Sequence, residues 1–93
     1  MIMNFDEIIE FYGKENQSRI AMEECAELIQ AINKCLRYPD NAECKSNLIE
    51  EMVDVLIVIE QLKCIFNVSN VDMDFWIDKK VRRIFERMES EKQ

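Results

Sequence analysis

Residues 16–36 read NQSRIAMEECAELIQAINKCL, and the pattern of this stretch decides the fold. Its apolar side chains recur at intervals of three and four, the period of a helix that buries one face. These side chains are Ile20, Ala21, Cys25, Leu28, Ile29, Ile32, Cys35 and Leu36. The whole chain has one glycine and one proline, which is typical of helices joined by few turns. We therefore expect an all-α fold in one domain over residues 1–93.

Capping and turn signals define the ends of the first two helices. Asn4 and Glu7 have the spacing of a capping box, and Gly13 is a stop signal, so a short helix is expected near residues 5–12. The long helix quoted above should end before Pro39, because proline disfavours a helical residue before it and removes a backbone donor.

The third helix has two possible starts. One follows Asp40, with Glu43 completing a capping box, and the other follows Asn47, with Glu50 in that role. Both lead to a helix that ends near residue 66, and the sequence does not choose between them.

The last helix is expected from 72 to about 90, after a break at 67–70. Its apolar stripe comprises Ile77, Val81, Ile84, Phe85 and Met88. Five of the twelve cations of the chain lie in nine of its residues: Lys79, Lys80, Arg82, Arg83 and Arg87. The net charge of −7 argues against nucleic acid bound along a broad surface, whereas a small anion can still bind a cationic cluster.

Four carboxylates occupy positions where charge is unexpected. On a helical wheel Glu24 falls inside the apolar arc of its helix, and Glu27 lies at the edge of that arc. Asp54 is the single charged residue within 52–59, a stretch that is apolar on all sides and is therefore expected to be central. Glu51 lies on the same face as Asp54.

These carboxylates need a positive partner, because moving a charge out of water costs several kcal/mol unless it is compensated. No Lys or Arg occurs in residues 20–33 or 47–61. An antiparallel hairpin that folds near Pro39 would bring the two pairs level, whereas a longer loop to Asn47 would shift their register. The compensating group is then a metal ion or a cation from elsewhere in the chain.

The kinds of ligand indicate which metal would bind. Oxygen ligands without His or Cys select hard cations such as Mg²⁺ or Mn²⁺, and four carboxylates suggest two or more ions around a polyphosphate. A di-iron bundle would need histidine, and the chain has none. The alternative without metal is a set of salt bridges from these acids to the basic last helix.

Two motifs together resemble those of a known family. Glu23-Glu24-Cys25-Ala26-Glu27 and Glu51-Met52-Val53-Asp54, separated by residues 28–50, are similar to the Glu-Glu-x-x-Glu and Glu-x-x-Asp signature of the MazG-like, all-α nucleoside triphosphate pyrophosphohydrolases. The resemblance covers residues 17–87. It implies an antiparallel four-helix-type bundle that is completed by oligomerisation, as a homodimer or a dimer of dimers.

The resemblance also implies an enzyme and a site. Metal-activated water would hydrolyse a nucleoside triphosphate at its α–β linkage, with Mg²⁺ (or Mn²⁺) held by Glu24, Glu27, Glu51 and Asp54, and with Glu27 and Glu51 as catalytic residues. The last helix departs from the commoner Lys-Asn pattern of that family. The substrate-binding candidates are Gln17, Lys79, Arg82 and Arg83. A solvated basic face and packing of Gln17 at the core edge remain the alternatives.

The sequence also suggests two alternative functions and a cellular location. Phosphoribosyl-ATP pyrophosphohydrolase is the alternative enzyme, and a non-catalytic helical module that binds a nucleotide or a partner is the alternative outside enzymes. The N-terminus lacks signal-peptide features, and the stretch 52–59 is far shorter than the ~20 residues of a membrane span. We expect a cytoplasmic protein without membrane contact, with buried free thiols at its four cysteines.

Overall fold

The computed structural model describes residues 4–92, and all of the regular structure in this range is helical. Helix α1 spans Asp6–Tyr12, α2 spans Lys14–Arg37, α3 spans Ala42–Ile65 and α4 spans Asn70–Glu91. The predicted all-α class is therefore confirmed. Helices α2 and α3 form a long antiparallel hairpin, and the short α1 packs against both of them at the open end.

The signals at the first helix are partly confirmed. Gly13 has φ +91° and separates α1 from α2, a backbone conformation that favours glycine. The predicted capping box of Asn4 with Glu7 is wrong, because Phe5 occupies the cap position and no side chain bonds there. The Asn4 Oδ1 atom instead accepts a hydrogen bond from the backbone N–H of Asp6 at 3.1 Å, a local turn of the kind that Asn often makes.

The third helix begins at Ala42, near the first of its two predicted starts, and its capping residue lies one position after Asp40. Asn41 is the capping residue, and its side chain accepts a hydrogen bond from the backbone N–H of Cys44 at 3.1 Å. Asn47 lies inside α3. The connection from α2 is consequently short, which holds the closed end of the hairpin in one register.

Small and medium side chains fill the seam between α2 and α3. At the closed end the Cys35 Sγ–H donates to the carbonyl oxygen of Cys44 at 3.1 Å. At the open end the side chains of Gln17 and Gln61 form a buried hydrogen bond of 2.8 Å. The buried apolar residues are Ile9, Ala21, Ala31 and Val58. The seam therefore runs along the full length of both helices.

Helix α4 does not pack against the hairpin. Among residues 4–92, no other helix packs on α4, and none of its residues is buried. The side chains of its predicted apolar stripe are between 44% and 60% exposed. Helix α3 is also not central in a single chain, since Met52, Val53 and Leu56 are exposed. Both helices thus present apolar surface that residues 4–92 leave uncovered.

The cysteines are less buried than predicted. Cys25 and Cys64 are exposed, Cys35 and Cys44 are half-buried, and all four thiols are free. The prediction of buried thiols was wrong because the hairpin covers only one face of each helix. Within the described part of the chain, none of the helices has the length and hydropathy of a membrane span.

Candidate metal centre

Four carboxylates from α2 and α3 meet in the middle of the hairpin. One oxygen atom from each of Glu24, Glu27, Glu51 and Asp54 lies within 4.8 Å of the corresponding atoms of the other three. The structure therefore brings together all four residues that the sequence marks as metal ligands. A group of oxygen atoms at this spacing can surround a small cation.

Helical spacing and the register of the hairpin explain this arrangement. Glu24 and Glu27 are three residues apart on α2, as Glu51 and Asp54 are on α3, so each pair shares one face of its helix. The antiparallel register then places Glu24 beside Asp54, and Glu27 beside Glu51, with one oxygen atom of each within 4.8 Å of the others.

The electrostatics of the cluster are unfavourable without a cation. Burial, and then the negative charges of Glu27 and Asp54, raise the pKa of Glu24 from 4.5 to about 7. Burial and the charges of the same two neighbours also raise the pKa of Glu51. Both shifts have the direction expected when the charged form loses water and faces like charges.

Nothing in the described chain neutralises these acids. Each salt bridge among residues 4–92 joins side chains three or four apart on one helix, so the alternative of salt bridges to the basic helix is not realised within one chain. The Oε2 atoms of Glu24 and Glu51 are buried, and no group of residues 4–92 donates a hydrogen bond to them. Unpaired, buried carboxylate oxygens are ligands that fit Mg²⁺ or Mn²⁺.

The structure does not bring the basic candidates to the cluster. The Lys79 Nζ atom lies over the ring of Trp76, 5.1 Å from its centroid, and Arg82 pairs with Asp78 at 2.9 Å. Arg83 lines a shallow groove on α4 itself. Because α4 is not packed on the hairpin, contact of these side chains with a substrate stays a prediction.

Gln17 lies buried in the seam between α2 and α3. It is 5% exposed, and it is about 10 Å along α2 from Glu24 at 1.5 Å per residue. Its Nε2 atom donates to the Oε1 atom of Gln61, which favours the packing alternative over contact with a base or sugar. Gln61 is not among the residues predicted from the sequence. The signal was its position seven residues after Asp54, which mirrors the position of Gln17 before Glu24.

Comparison with known families decides the relationship. The model of the MazG nucleotide pyrophosphohydrolase domain matches residues 13–93. The chain belongs to the MazG nucleotide pyrophosphohydrolase domain family. The MazG match includes α2, α3 and α4, and with them all four carboxylates, so the predicted family resemblance is confirmed. No curated protein and no solved structure matches the chain significantly.

The raised pKa of Glu24 predicts how the stability of the metal-free MazG domain depends on pH. The folded state holds a proton on Glu24 up to about pH 7, whereas the unfolded state loses it near 4.5. The contribution of Glu24 to the free energy of unfolding is therefore full below pH 4.5 and is lost as the pH rises through 7. Urea unfolding in EDTA across this range measures the loss.

Two variants make this measurement specific. Glu24→Gln should flatten the pH dependence between 4.5 and 7, because the amide does not titrate. Glu23→Gln removes an exposed neighbouring acid and should retain the slope of the wild type. An unchanged slope in Glu24→Gln would show that another group carries the effect.

Proposed function

We propose that this protein is a Mg²⁺-dependent nucleoside triphosphate pyrophosphohydrolase that cleaves the α–β linkage to give a nucleoside monophosphate and pyrophosphate. The observation that carries the proposal is the cluster of four carboxylates within 4.8 Å, inside a MazG nucleotide pyrophosphohydrolase domain. Mn²⁺ is the alternative ion, since it prefers the same oxygen ligands.

The four carboxylates have different environments and hence different proposed roles. Glu24, Glu51 and Asp54 are half-buried, and Glu27 is exposed. The first three would hold the ion from inside the seam, and Glu27 would complete the ligand set from the side that substrate and water can reach. A bound Mg²⁺ ion would supply Lewis-acid chemistry, by stabilising charge on the phosphate oxygens and activating water. We assign to the Glu27 and Glu51 carboxylates the orientation of that water and acceptance of its proton.

A second copy of the chain is the proposed cover for the exposed apolar surfaces. A chain of this size gains from association, and the apolar stripe of α4 is free to pack on a hairpin. On α4, Lys80, Arg83 and Arg87 line the same groove as Ile84, so cations border the apolar surface. If α4 docked on the acidic hairpin of a second copy, these cations would approach phosphates held there. Lys79 and Arg82 lie on the same helix.

The first prediction of the proposed function concerns the reaction. A panel of ribo- and deoxyribonucleoside triphosphates with Mg²⁺ should yield pyrophosphate, and EDTA should abolish its release, because the proposed reaction depends on water activated by the ion at the four acids. Phosphoribosyl-ATP in the same panel tests the alternative substrate. Orthophosphate as the main product would contradict α–β cleavage, and nucleotide binding without turnover would support a non-catalytic module.

The second prediction concerns Asp54→Asn, which removes one charge from the cluster and keeps nearly the same shape. Without metal, the variant should be as stable as the wild type or more stable, by on the order of 1 kcal/mol, because repulsion and uncompensated burial are relieved. Pyrophosphate release should fall roughly a hundredfold or more, because an anionic ligand is lost. Mg²⁺ should raise the Tm of the wild type more than that of the variant.

Thermal melts with EDTA and with Mg²⁺ decide the outcome for Asp54. Asp40→Asn is the matched control, because Asp40 is exposed in the turn between α2 and α3 and should retain the full response to Mg²⁺. Loss of stability in Asp54→Asn without metal, with an unchanged response to Mg²⁺, would indicate a buried salt bridge to a partner and not a metal site.

The third prediction concerns assembly. Light scattering at micromolar concentration should give a dimer or a larger assembly. Ile84→Glu should shift it towards monomer, because Ile84 belongs to the apolar stripe that we place against a second copy. Ser90→Glu adds the same charge at an exposed position away from that stripe and should leave the assembly intact. A monomeric wild type would contradict the proposed docking of α4.

A further inference from the structure

A second polar pair lies in the seam of the hairpin, apart from the carboxylates. Gln17 and Gln61 are 5% and 4% exposed, and Gln17 Nε2 donates to Gln61 Oε1 at 2.8 Å. The Oε1 atom of Gln17 is buried, and it accepts no hydrogen bond from the chain between residues 4 and 92. A buried amide pair with one acceptor unsatisfied needs a physical explanation.

The pair occupies the same seam positions as two of the carboxylates, one heptad away. Gln17 precedes Glu24 by seven residues, and Gln61 follows Asp54 by seven. In packed helices, residues seven apart return to the same side of the interface. The Gln17–Gln61 pair is therefore about 10 Å, or two helical turns, from the Glu24–Asp54 pair along the same seam.

The energetics indicate that the amides do more than fill space. Two apolar side chains of similar shape would pack there without the cost of desolvating amide groups. A hydrogen bond between two amides, unlike apolar contact, requires a particular distance and direction. It therefore specifies one alignment of α2 against α3, as a buried polar residue specifies register in coiled coils.

The position of the pair in the hairpin explains why such alignment is needed. The short turn at 38–41 fixes the closed end of the hairpin. Between that turn and the amide pair lie four carboxylates, whose repulsion pushes the two helices apart. Helix α1 packs against both helices at the open end, and the amide pair adds there a contact that requires one particular distance and direction.

We propose that Gln17 and Gln61 are positioning residues, whose hydrogen bond aligns α2 and α3 so that the four carboxylates converge on a divalent cation. The proposal rests on the proposed function only in taking a cation as the occupant of the cluster. Neither amide ligates the ion in this arrangement, and neither contacts the nucleotide.

The test replaces both amides with methionine, which is unbranched and close in shape. Gln17→Met with Gln61→Met should fold at least as stably as the wild type, because no amide is left unpaired. Each single variant should be less stable, since the remaining amide loses its partner. Titration with Mn²⁺ alone should show that the double variant binds about tenfold more weakly than the wild type, as expected when the residues that orient the ligands are changed.

Val58→Ala is the matched control for a general loss of packing. Val58 is 4% exposed on α3, and it lies between Asp54 and Gln61 in sequence. Its truncation should lower stability and leave Mn²⁺ affinity unchanged, because the amide pair is intact. Wild-type Mn²⁺ affinity in the double variant, or an equal loss of affinity in Val58→Ala, would overturn the proposal.

The KM for nucleotide and the Mg²⁺ concentration that gives half-maximal rate distinguish alignment of the ligands from direct contact with substrate. At saturating Mg²⁺ the double variant should keep the wild-type KM for nucleotide and need more Mg²⁺ for half-maximal rate. A raised KM in Gln17→Met but not in Gln61→Met would show contact with substrate and overturn the proposal.

If the wild type binds no Mn²⁺, the proposed function fails, and NMR of the metal-free proteins decides the inference. Weaker nuclear Overhauser contacts between α2 and α3 around Glu24 and Asp54 in the double variant would support alignment by the amides. Unchanged contacts would overturn it.

Discussion

The mutual repulsion of four carboxylates is the constraint around which the hairpin is organised. Like charges that meet in a partly buried seam destabilise the fold that contains them, and burial, followed by the charges of Glu27 and Asp54, raises the pKa of Glu24. The fold tolerates the cost because the turn at 38–41 and the packed seam hold α2 and α3 together on both sides of the cluster. A bound divalent cation would offset the repulsion among the carboxylates, so metal binding would increase the stability of the folded state.

The polar groups in the seam are of two kinds, for which we propose two roles: the carboxylates bind the metal and the amides align the helices. The acids at the centre are the proposed ligands, whereas the amides at the open end carry no charge and make one directional contact. Ala21 and Ala31 allow α2 to approach α3 closely on either side of Glu24. Small side chains, acids and amides along one seam therefore have separate physical roles.

The sequence predicted the helices and the two carboxylate pairs because these depend on local spacing, whereas the meeting of the pairs depends on the start of α3, which the sequence left open. The three-and-four spacing of apolar residues in 16–36 is a property of one helix, and Asp54 stood out because everything around it is apolar. The position of α4 was beyond the reach of such patterns, because no other helix within residues 4–92 packs on α4 and Ile84 stays exposed. Gln61 was missed because a neutral amide, unlike a carboxylate, brings no unexpected charge to an apolar face. Asn41 was missed as a cap because its neighbour Asp40 is an equally good capping residue.

The hairpin also implies an order in which the chain assembles. The contact between Cys35 and Cys44 closes nine residues, and the contact between Gln17 and Gln61 closes 44, with the carboxylate pairs at intermediate separations. Loop closure costs more entropy as the loop lengthens, so contacts near the turn form first and the amide contact forms last. The four carboxylates therefore come together, and repel one another, before the amide contact at the open end has formed. Divalent cations in the folding medium should reduce this repulsion, and should therefore accelerate folding as well as stabilise the folded protein.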